Sequence, residues 1–89
     1  DRAQNHPNPF NPETIIEYTL PETERVTIDI FDVAGRRVAN LVSGVKGPGE
    51  HTVRWDGELS SGQRAATGVY FYRLETRNKT LTRKMVLLK

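Results

Sequence analysis

The chain has 89 residues, which suits one small domain with a single modest core and leaves little room for a buried catalytic cleft. It contains no cysteine, which excludes disulfides, thiolate metal sites and cysteine nucleophiles. The net charge of +2 is too small to indicate a nucleic-acid partner, and no apolar run approaches the roughly 18 residues that a membrane-spanning helix needs.

The opening of the chain is polar and rich in proline. Three of the five prolines fall within residues 7–12. Because proline lacks a backbone N–H and fixes φ, this stretch is expected to be extended and not to form a central strand. We interpret residues 1–6 as a linker from an upstream domain and residues 7–89 as the folded domain, with Phe10 packing the proline segment onto the core.

Alternation of apolar and polar side chains at a period of two predicts β-strands along most of the chain. These strands are expected at residues 14–20, 26–30, 37–41, 51–55, 69–76 and 81–88. Aspartate at the first position and glycine at the fourth of residues 32–35 are typical of a type I turn, so residues 26–42 are predicted to form a β-hairpin. The glycines around Pro48 predict a loop at residues 44–49.

No window of the sequence has a helical period. Six or seven short strands with turn signals at a spacing of roughly 8–12 residues are typical of an all-β, antiparallel, immunoglobulin-like β-sandwich of about seven strands. Trp55, Tyr70 and Tyr72 fall on the apolar faces of their strands and are predicted to be core residues. Phe71 falls on the opposite face.

The groups that could carry chemistry are scattered, so no enzymatic activity, metal site or cofactor is predicted. The serines lie in loops and lack the strand–turn–helix context of a nucleophile elbow. His51 shares a strand face with Trp55 and is interpreted as a packed, hydrogen-bonded side chain. Asp32, Asp56 and Glu58 are turn carboxylates of the kind that calcium prefers, but turn chemistry already accounts for the two aspartates.

Positive charge is concentrated at the end of the chain. Residues 73–89 carry six basic side chains and one acid, whereas residues 1–72 carry seven basic and ten acidic side chains. Two interpretations of this segment remain open. Basic side chains protect a terminal strand against edge-to-edge aggregation, and they also suit a surface that docks an acidic partner.

Several short motifs occur in a characteristic order. They are Pro7-Asn8-Pro9-Phe10-Asn11-Pro12, Ile30-Phe31-Asp32-Val33-Ala34-Gly35-Arg36-Arg37-Val38, Trp55-Asp56-Gly57, Gly68-Val69-Tyr70-Phe71-Tyr72-Arg73-Leu74 and Lys84-Met85-Val86-Leu87-Leu88-Lys89. Across residues 5–89 this pattern resembles the type A C-terminal sorting domains of type IX secretion system cargo. It is also similar to the immunoglobulin-like domain of flagellar hook-capping proteins.

The resemblance implies a non-catalytic signal domain that the type IX secretion machinery recognises in its folded form. Such a domain directs attached cargo across the outer membrane, so it is periplasmic in transit and then at the cell surface or extracellular. Its implied partners are the outer-membrane translocon, a sortase-like peptidase and the upstream cargo domain of the same chain. The implied cleavage point lies at or before residues 1–6.

The recurrent elements of the sorting domains also imply a set of recognition residues. They are Pro7, Asn8, Pro9, Gly35, Arg36, Gly68, Tyr70, Arg83, Lys84, Met85, Val86 and Lys89. This set combines a Pro-Asn-Pro segment, the Gly-Arg turn of the hairpin and the closing strand, which coincides with the basic end of the chain.

Two other functions remain open. The domain could be a structural immunoglobulin-like module that acts as a spacer, stabiliser or assembly domain of a secreted protein. It could also be a carbohydrate-binding accessory domain, whose sugars would stack on exposed aromatic rings. The second alternative is disfavoured by the prediction that Trp55, Tyr70 and Tyr72 face the core.

Overall fold

A computed structural model describes residues 2–6 and 13–88. Within these ranges the chain forms seven β-strands and no helix, so the described part holds no helical segment that could cross a bilayer. The strands are β1 (Arg2–His6), β2 (Thr14–Leu20), β3 (Glu24–Phe31), β4 (Arg37–Lys46), β5 (Gly49–Trp55), β6 (Gly68–Glu75) and β7 (Thr80–Leu87). The six strands predicted from alternation correspond to β2–β7.

The strands form two antiparallel sheets. One sheet has the order β1-β2-β5 and the other has the order β4-β3-β6-β7. Apolar residues of both sheets meet in one core, in which Ile16 of β2, Ile28 of β3 and Met85 of β7 are 0% exposed. The all-β antiparallel sandwich predicted from the sequence is therefore confirmed, and its interior is the layer between the two sheets.

The segment expected to be a linker belongs to the smaller sheet. β1 pairs antiparallel with β2 along its whole length, and Ala3 is buried in the core. The linker interpretation of residues 1–6 is therefore wrong for residues 2–6. The polar sequence was misleading because an edge strand is held by backbone hydrogen bonds, which do not require apolar side chains. The proline-rich residues 7–12, including Phe10, lie outside the described residues.

The hairpin of β3 and β4 is longer than predicted. β4 continues through Gly44 to Lys46 and pairs there with the first residues of β3, so the loop expected at residues 44–49 contracts to Gly47 and Pro48. Glycine suggested a loop in this stretch, but the φ of Gly44 lies outside the left-handed region. Pairing of residues 44–46 with the first three residues of β3 keeps this end of β4 extended.

Trp55 is a core residue, as predicted, with 2% of its surface exposed. Its ring meets the ring of Tyr70 edge-on, with 5.5 Å between the centroids. The indole Nε1 donates to the carbonyl of Glu58 at 2.9 Å, and the hydroxyl of Tyr70 donates to the carbonyl of Ala66 at 2.8 Å. These two bonds satisfy the buried donors and attach the irregular segment between β5 and β6 to the core.

His51 is packed and hydrogen-bonded, which confirms its interpretation from the sequence. Its half-buried ring stacks on Tyr18, with 5.2 Å between the centroids and 19° between the planes. Its Nε2 lies 2.7 Å from the carbonyl oxygen of Gly47. The imidazole therefore joins the start of β5 to the neighbouring strand of the same sheet.

The β3–β4 turn has the chemistry predicted for residues 32–35. The N–H of Gly35 donates to the carbonyl of Asp32 at 3.0 Å, and Oδ1 of Asp32 accepts the N–H groups of Ala34 and Arg36 at 2.9 and 3.0 Å. The backbone N–H of Arg36, then its guanidinium and the N–H of Ala34, hold the pKa of Asp32 below its ordinary value. Gly35 has a φ of +83°, a backbone conformation that residues other than glycine rarely adopt.

We expect Gly35→Val to lower the free energy of unfolding by about 1–3 kcal/mol, because valine is strained at positive φ. Gly44→Val is the matched control, since a Cβ at either glycine meets open space and Gly44 lacks the positive φ. We expect the control to change stability by less than about 0.5 kcal/mol. Urea denaturation measures both variants, and equal midpoints for the two would contradict the role assigned to the turn.

Tyr72 differs from Tyr70 in the state of its hydroxyl group. Tyr72 is 0% exposed, and its buried hydroxyl has no hydrogen-bond partner among the described residues. Burial raises the pKa of Tyr72 to about 12, against the opposing effect of the Arg83 charge. The neutral phenol is therefore the form that the folded domain favours.

We expect Tyr72→Phe to leave stability at pH 7 unchanged or higher, and Tyr70→Phe to lower it by about 1 kcal/mol, because only Tyr70 loses a hydrogen bond. The pH dependence of Tyr72 is a further test. The pKa of Tyr72 is 10.0 in the unfolded chain and about 12 in the folded chain. The contribution of this pKa difference to the free energy of unfolding is therefore complete below pH 10 and is lost as the pH rises towards 12. Tyr72→Phe should remove this part of the alkaline loss in urea denaturation at several pH values. Equal losses at pH 7 in the two variants would refute the assignment.

Candidate functional site

The recognition residues predicted in β6 and β7 lie in one ladder. Tyr70 pairs with Met85 and Phe71 pairs with Lys84, while Gly68 begins β6 two residues before Tyr70. Tyr70 and Met85 face the core and are 8% and 0% exposed. Their side chains support the fold and are not available to a partner of the folded domain, whereas Lys84 is exposed.

The Gly-Arg turn lies at the same end of the larger sheet. Phe31, the last residue of β3, pairs with Phe71, which brings the β3–β4 turn close to the start of β6. Arg36 is exposed in this turn and its Nη2 lies 2.9 Å from Oδ2 of Asp32. The structure therefore brings Gly35 and Arg36 to the neighbourhood of Lys84, although more than 45 residues separate them along the chain.

The remaining predicted recognition residues are less closely grouped. Val86 is half-buried on β7, and Arg83 is exposed, with its Nη1 3.5 Å from the carbonyl oxygen of Thr82. The segment Pro7-Asn8-Pro9 and Lys89 lie outside the described residues.

A shallow groove of about 270 Å³ lies on the outer face of the four-stranded sheet, beside the β3–β4 turn. The paired side chains of Phe31 and Phe71 form its apolar floor, and both are half-buried. Val33 lines the groove from the turn and is 74% exposed. Successive side chains of a strand point to opposite faces, so the register that buries Ile30 and Tyr72 turns both phenylalanines outward.

Arg73 lies in the groove with its guanidinium carbon 4.5 Å from the ring centroid of Phe31, a cation–π contact. Its Nε is buried and donates no hydrogen bond within the described residues, and no described carboxylate lies within ion-pair distance of its guanidinium. Asp29, opposite Arg73 in the register, instead accepts Nδ2 of Asn40 at 2.8 Å and lies 3.9 Å from Arg37.

Basic groups outnumber acidic groups at this end of the sheet. The basic residues there are Arg36, Arg37, Arg73 and Lys84, and the acidic residues are Asp29 and Asp32. Both carboxylates are already bonded to neighbouring side chains or backbone amides. The arrangement is therefore chemically suited to hold an apolar side chain next to a negative charge.

The basic C-terminal segment does not form one continuous surface. Arg77 and Lys79 flank the β6–β7 turn at the other end of the ladder, where the N–H of Thr76 donates to the carbonyl of Lys79 at 2.8 Å. Arg73 and Lys84 lie on the outer face near the groove. The basic charge noted in the sequence is therefore divided between the two ends of the ladder.

Sequence reasoning did not single out Phe31, Val33 or Arg73 as parts of a site. The signal was present for Phe31, because it follows the inward-facing Ile30 and must point outward, as was recognised for Phe71. No signal in the sequence could have joined Phe31 to Arg73, since their contact depends on the pairing of β3 with β6.

The groups considered for other ligands are engaged elsewhere. Trp55, Tyr70 and Tyr72 are buried and offer no platform for a sugar. Oδ1 of Asp56 accepts the N–H of Glu58 at 2.9 Å, so it serves its own turn. Within residues 2–6 and 13–88, no group of three or more histidine, aspartate or glutamate side chains is placed to hold a metal ion.

Several solved structures share this fold. Dimeric latent PorU from Porphyromonas gingivalis matches with a TM-score of 0.77 and 18% identity, over 97% of this chain and 9% of that chain. PorZ from the same organism, described as an essential bacterial surface component of the type IX secretion system, matches with a TM-score of 0.70 and 18% identity, over 98% of this chain and 11% of that chain. FlgD from P. aeruginosa matches with a TM-score of 0.66 and 26% identity, over 84% of this chain and 59% of that chain.

The chain therefore corresponds in length to a small part of PorU and PorZ and to less than two thirds of FlgD. No match was found among curated protein sequences. Residues 12–80, well over half of the chain, match the FlgD Ig-like domain family. This match confirms the immunoglobulin-like character of the sandwich and the similarity to hook-capping proteins that the motifs indicated. The chain belongs to the FlgD Ig-like domain family.

Proposed function

We propose that this chain is a non-catalytic sorting domain of the type IX secretion system. In this role its folded form is recognised by an outer-membrane translocon, which moves an attached upstream domain from the periplasm to the cell surface or the medium. A sortase-like peptidase then separates the sorting domain from its cargo. The observation that carries the proposal is the shared fold of nearly the whole chain with part of PorZ, a surface component of that system.

The physical properties of the domain are consistent with a signal that is read after folding. Its core forms without any disulfide, since the chain has no cysteine. The outer face of the larger sheet presents side chains that the core does not use, held at fixed positions by the β3–β6 and β6–β7 ladders. A receptor can therefore recognise a defined surface without unfolding the domain.

A structural immunoglobulin-like module is the second candidate. It is favoured by the family match and by the identity with FlgD, which is higher than the identity with PorU or PorZ. Since fold alone does not determine function, the two candidates must be separated by transport and not by further comparison of folds.

A transport assay tests the sorting role. Residues 1–89 are fused behind a signal peptide and a reporter enzyme, and the fusion is produced in cells with and without a working type IX translocon. We expect the reporter outside the cells only where the translocon works. The immunoglobulin-like domain of P. aeruginosa FlgD, fused in the same position, is the matched control and should leave the reporter in the periplasm. Periplasmic retention of both fusions would support the structural module instead.

The position of cleavage is a separate prediction. β1 is hydrogen-bonded to β2 and Ala3 is buried, so a peptidase cannot bind residues 2–6 in an extended, unpaired form without opening the sheet. We expect the exported reporter to end before Arg2, within the sequence that joins it to the domain. Terminal sequencing of the released reporter measures this position. A terminus at or after Ala3 would show that β1 is not part of the domain at the time of cleavage.

A further inference from the structure

We propose that the outer-face groove at the β3–β4 turn docks a segment of a partner protein that presents an apolar side chain beside a carboxylate. The apolar side chain lies on Phe31 and Phe71, and the carboxylate pairs with Arg73. The inference rests on the proposed function for the identity of the partner, a component of the secretion machinery. The chemistry of the partner is argued from the groove itself.

The floor of the groove supplies the apolar half of the site. Phe31 and Phe71 lie side by side in adjacent central strands, so their positions are fixed by the most deeply buried ladder of the domain. Val33 extends the apolar surface into the turn and is 74% exposed, the most exposed large apolar residue of those described. Phenylalanine and arginine are among the residues enriched at the centre of protein interfaces, and both line this groove.

Arg73 supplies the polar half of the site. Its guanidinium is held against the ring of Phe31, and within the described residues it has neither an ion pair nor a hydrogen bond from its Nε. Asp29, the nearest carboxylate in the register, is bonded to Asn40 and lies near Arg37. The Nε of Arg73 is too deeply buried to meet a partner, but no described residue accepts a hydrogen bond from its Nη1 or Nη2. These two groups remain for an external carboxylate, which an arginine can bind with two parallel hydrogen bonds.

The surrounding charge selects the sign of the partner. The carboxylate of Asp32 already accepts two backbone N–H groups and the guanidinium of Arg36. Arg36 pairs with Asp32 and Arg37 lies near Asp29, so among the described side chains the positive charge left beside the groove is that of Arg73. A segment with carboxylates beside its apolar residue is therefore attracted, and one with lysines is repelled.

The binding half of the test uses short peptides as probes and the complete 89-residue chain. Acetyl-Asp-Leu-Asp-amide carries both proposed features, acetyl-Lys-Leu-Lys-amide reverses the charge, and acetyl-Asp-Ser-Asp-amide removes the apolar side chain. In ¹⁵N-labelled protein, we expect the first peptide to shift the amide signals of residues 31–35, 71–73 and 82, and the other two to leave them unchanged. Equal shifts with all three peptides, or shifts elsewhere on the domain, would overturn the proposal.

Two variants connect the response to the named side chains. Arg73→Met keeps an apolar stem and removes the guanidinium, and Val33→Glu places a negative charge on an exposed turn position that the core does not use. Each should weaken binding of the acidic peptide by about tenfold, Arg73→Met because a charge-assisted contact is lost and Val33→Glu because the new carboxylate repels the peptide. Arg25→Met is the matched control, because Arg25 is an exposed arginine on the same sheet that does not line the groove. Its Nη2 donates to Oγ of Ser43 at 3.2 Å. Unchanged affinity in both groove variants would refute the assignment.

The transport assay with the same variants separates this inference from the proposed function. If the unaltered domain is exported and Arg73→Met and Val33→Glu reduce export at least tenfold while Arg25→Met does not, the groove is the surface that the machinery reads. If all three variants are exported like the unaltered domain, the groove inference fails and the sorting function stands. If the unaltered domain is not exported, the sorting function fails, and the peptide titrations alone decide whether the groove binds an acidic, apolar segment.

Discussion

The antiparallel pairing of β3 with β6 in the middle of the larger sheet determines most of what the domain presents to its surroundings. Ile28 pairs with Leu74 and Ile30 with Tyr72, and all four side chains are at most 1% exposed. Both strands also have a neighbour on each side, so their backbone groups are satisfied within the sheet. The other strands add to this ladder, and the smaller sheet covers its apolar face.

The same ladder decides the chemistry of the outer face. Each inward-facing residue is followed by an outward-facing one, so burying Ile30 and Tyr72 turns the half-buried side chains of Phe31, Phe71 and Arg73 to the other face. A slip of one residue would exchange the two faces and place a guanidinium in the core, which is strongly unfavourable. The apolar core therefore holds the register, and the register holds the groove in a fixed shape without any contribution from a ligand.

Membership of the FlgD Ig-like domain family explains the sandwich but does not assign a function to this particular chain. Similar sandwiches occur within PorU, PorZ and FlgD. The matched part is 9% of the PorU chain, 11% of the PorZ chain and 59% of the FlgD chain. A common core with divergent surroundings places functional differences in surface side chains and in the attached sequence. The outer-face groove is such a surface, with an arginine that lies on an aromatic floor and has no carboxylate partner among residues 2–6 and 13–88. It lies next to the hairpin turn that the sequence motifs had already singled out.

The sequence by itself determined the strands β2–β7, the core positions of Trp55 and Tyr72 and the chemistry of the Asp32–Gly35 turn. These features depend on local alternation and local hydrogen bonds, which are visible in a short window. Only the tertiary structure decided that β1 is part of a sheet, that β4 continues through Gly44, and that Arg73 lies on Phe31. An edge strand is recruited by backbone groups that every residue carries, and contacts between distant residues depend on strand pairing. Neither leaves a pattern in the side chains of a single segment.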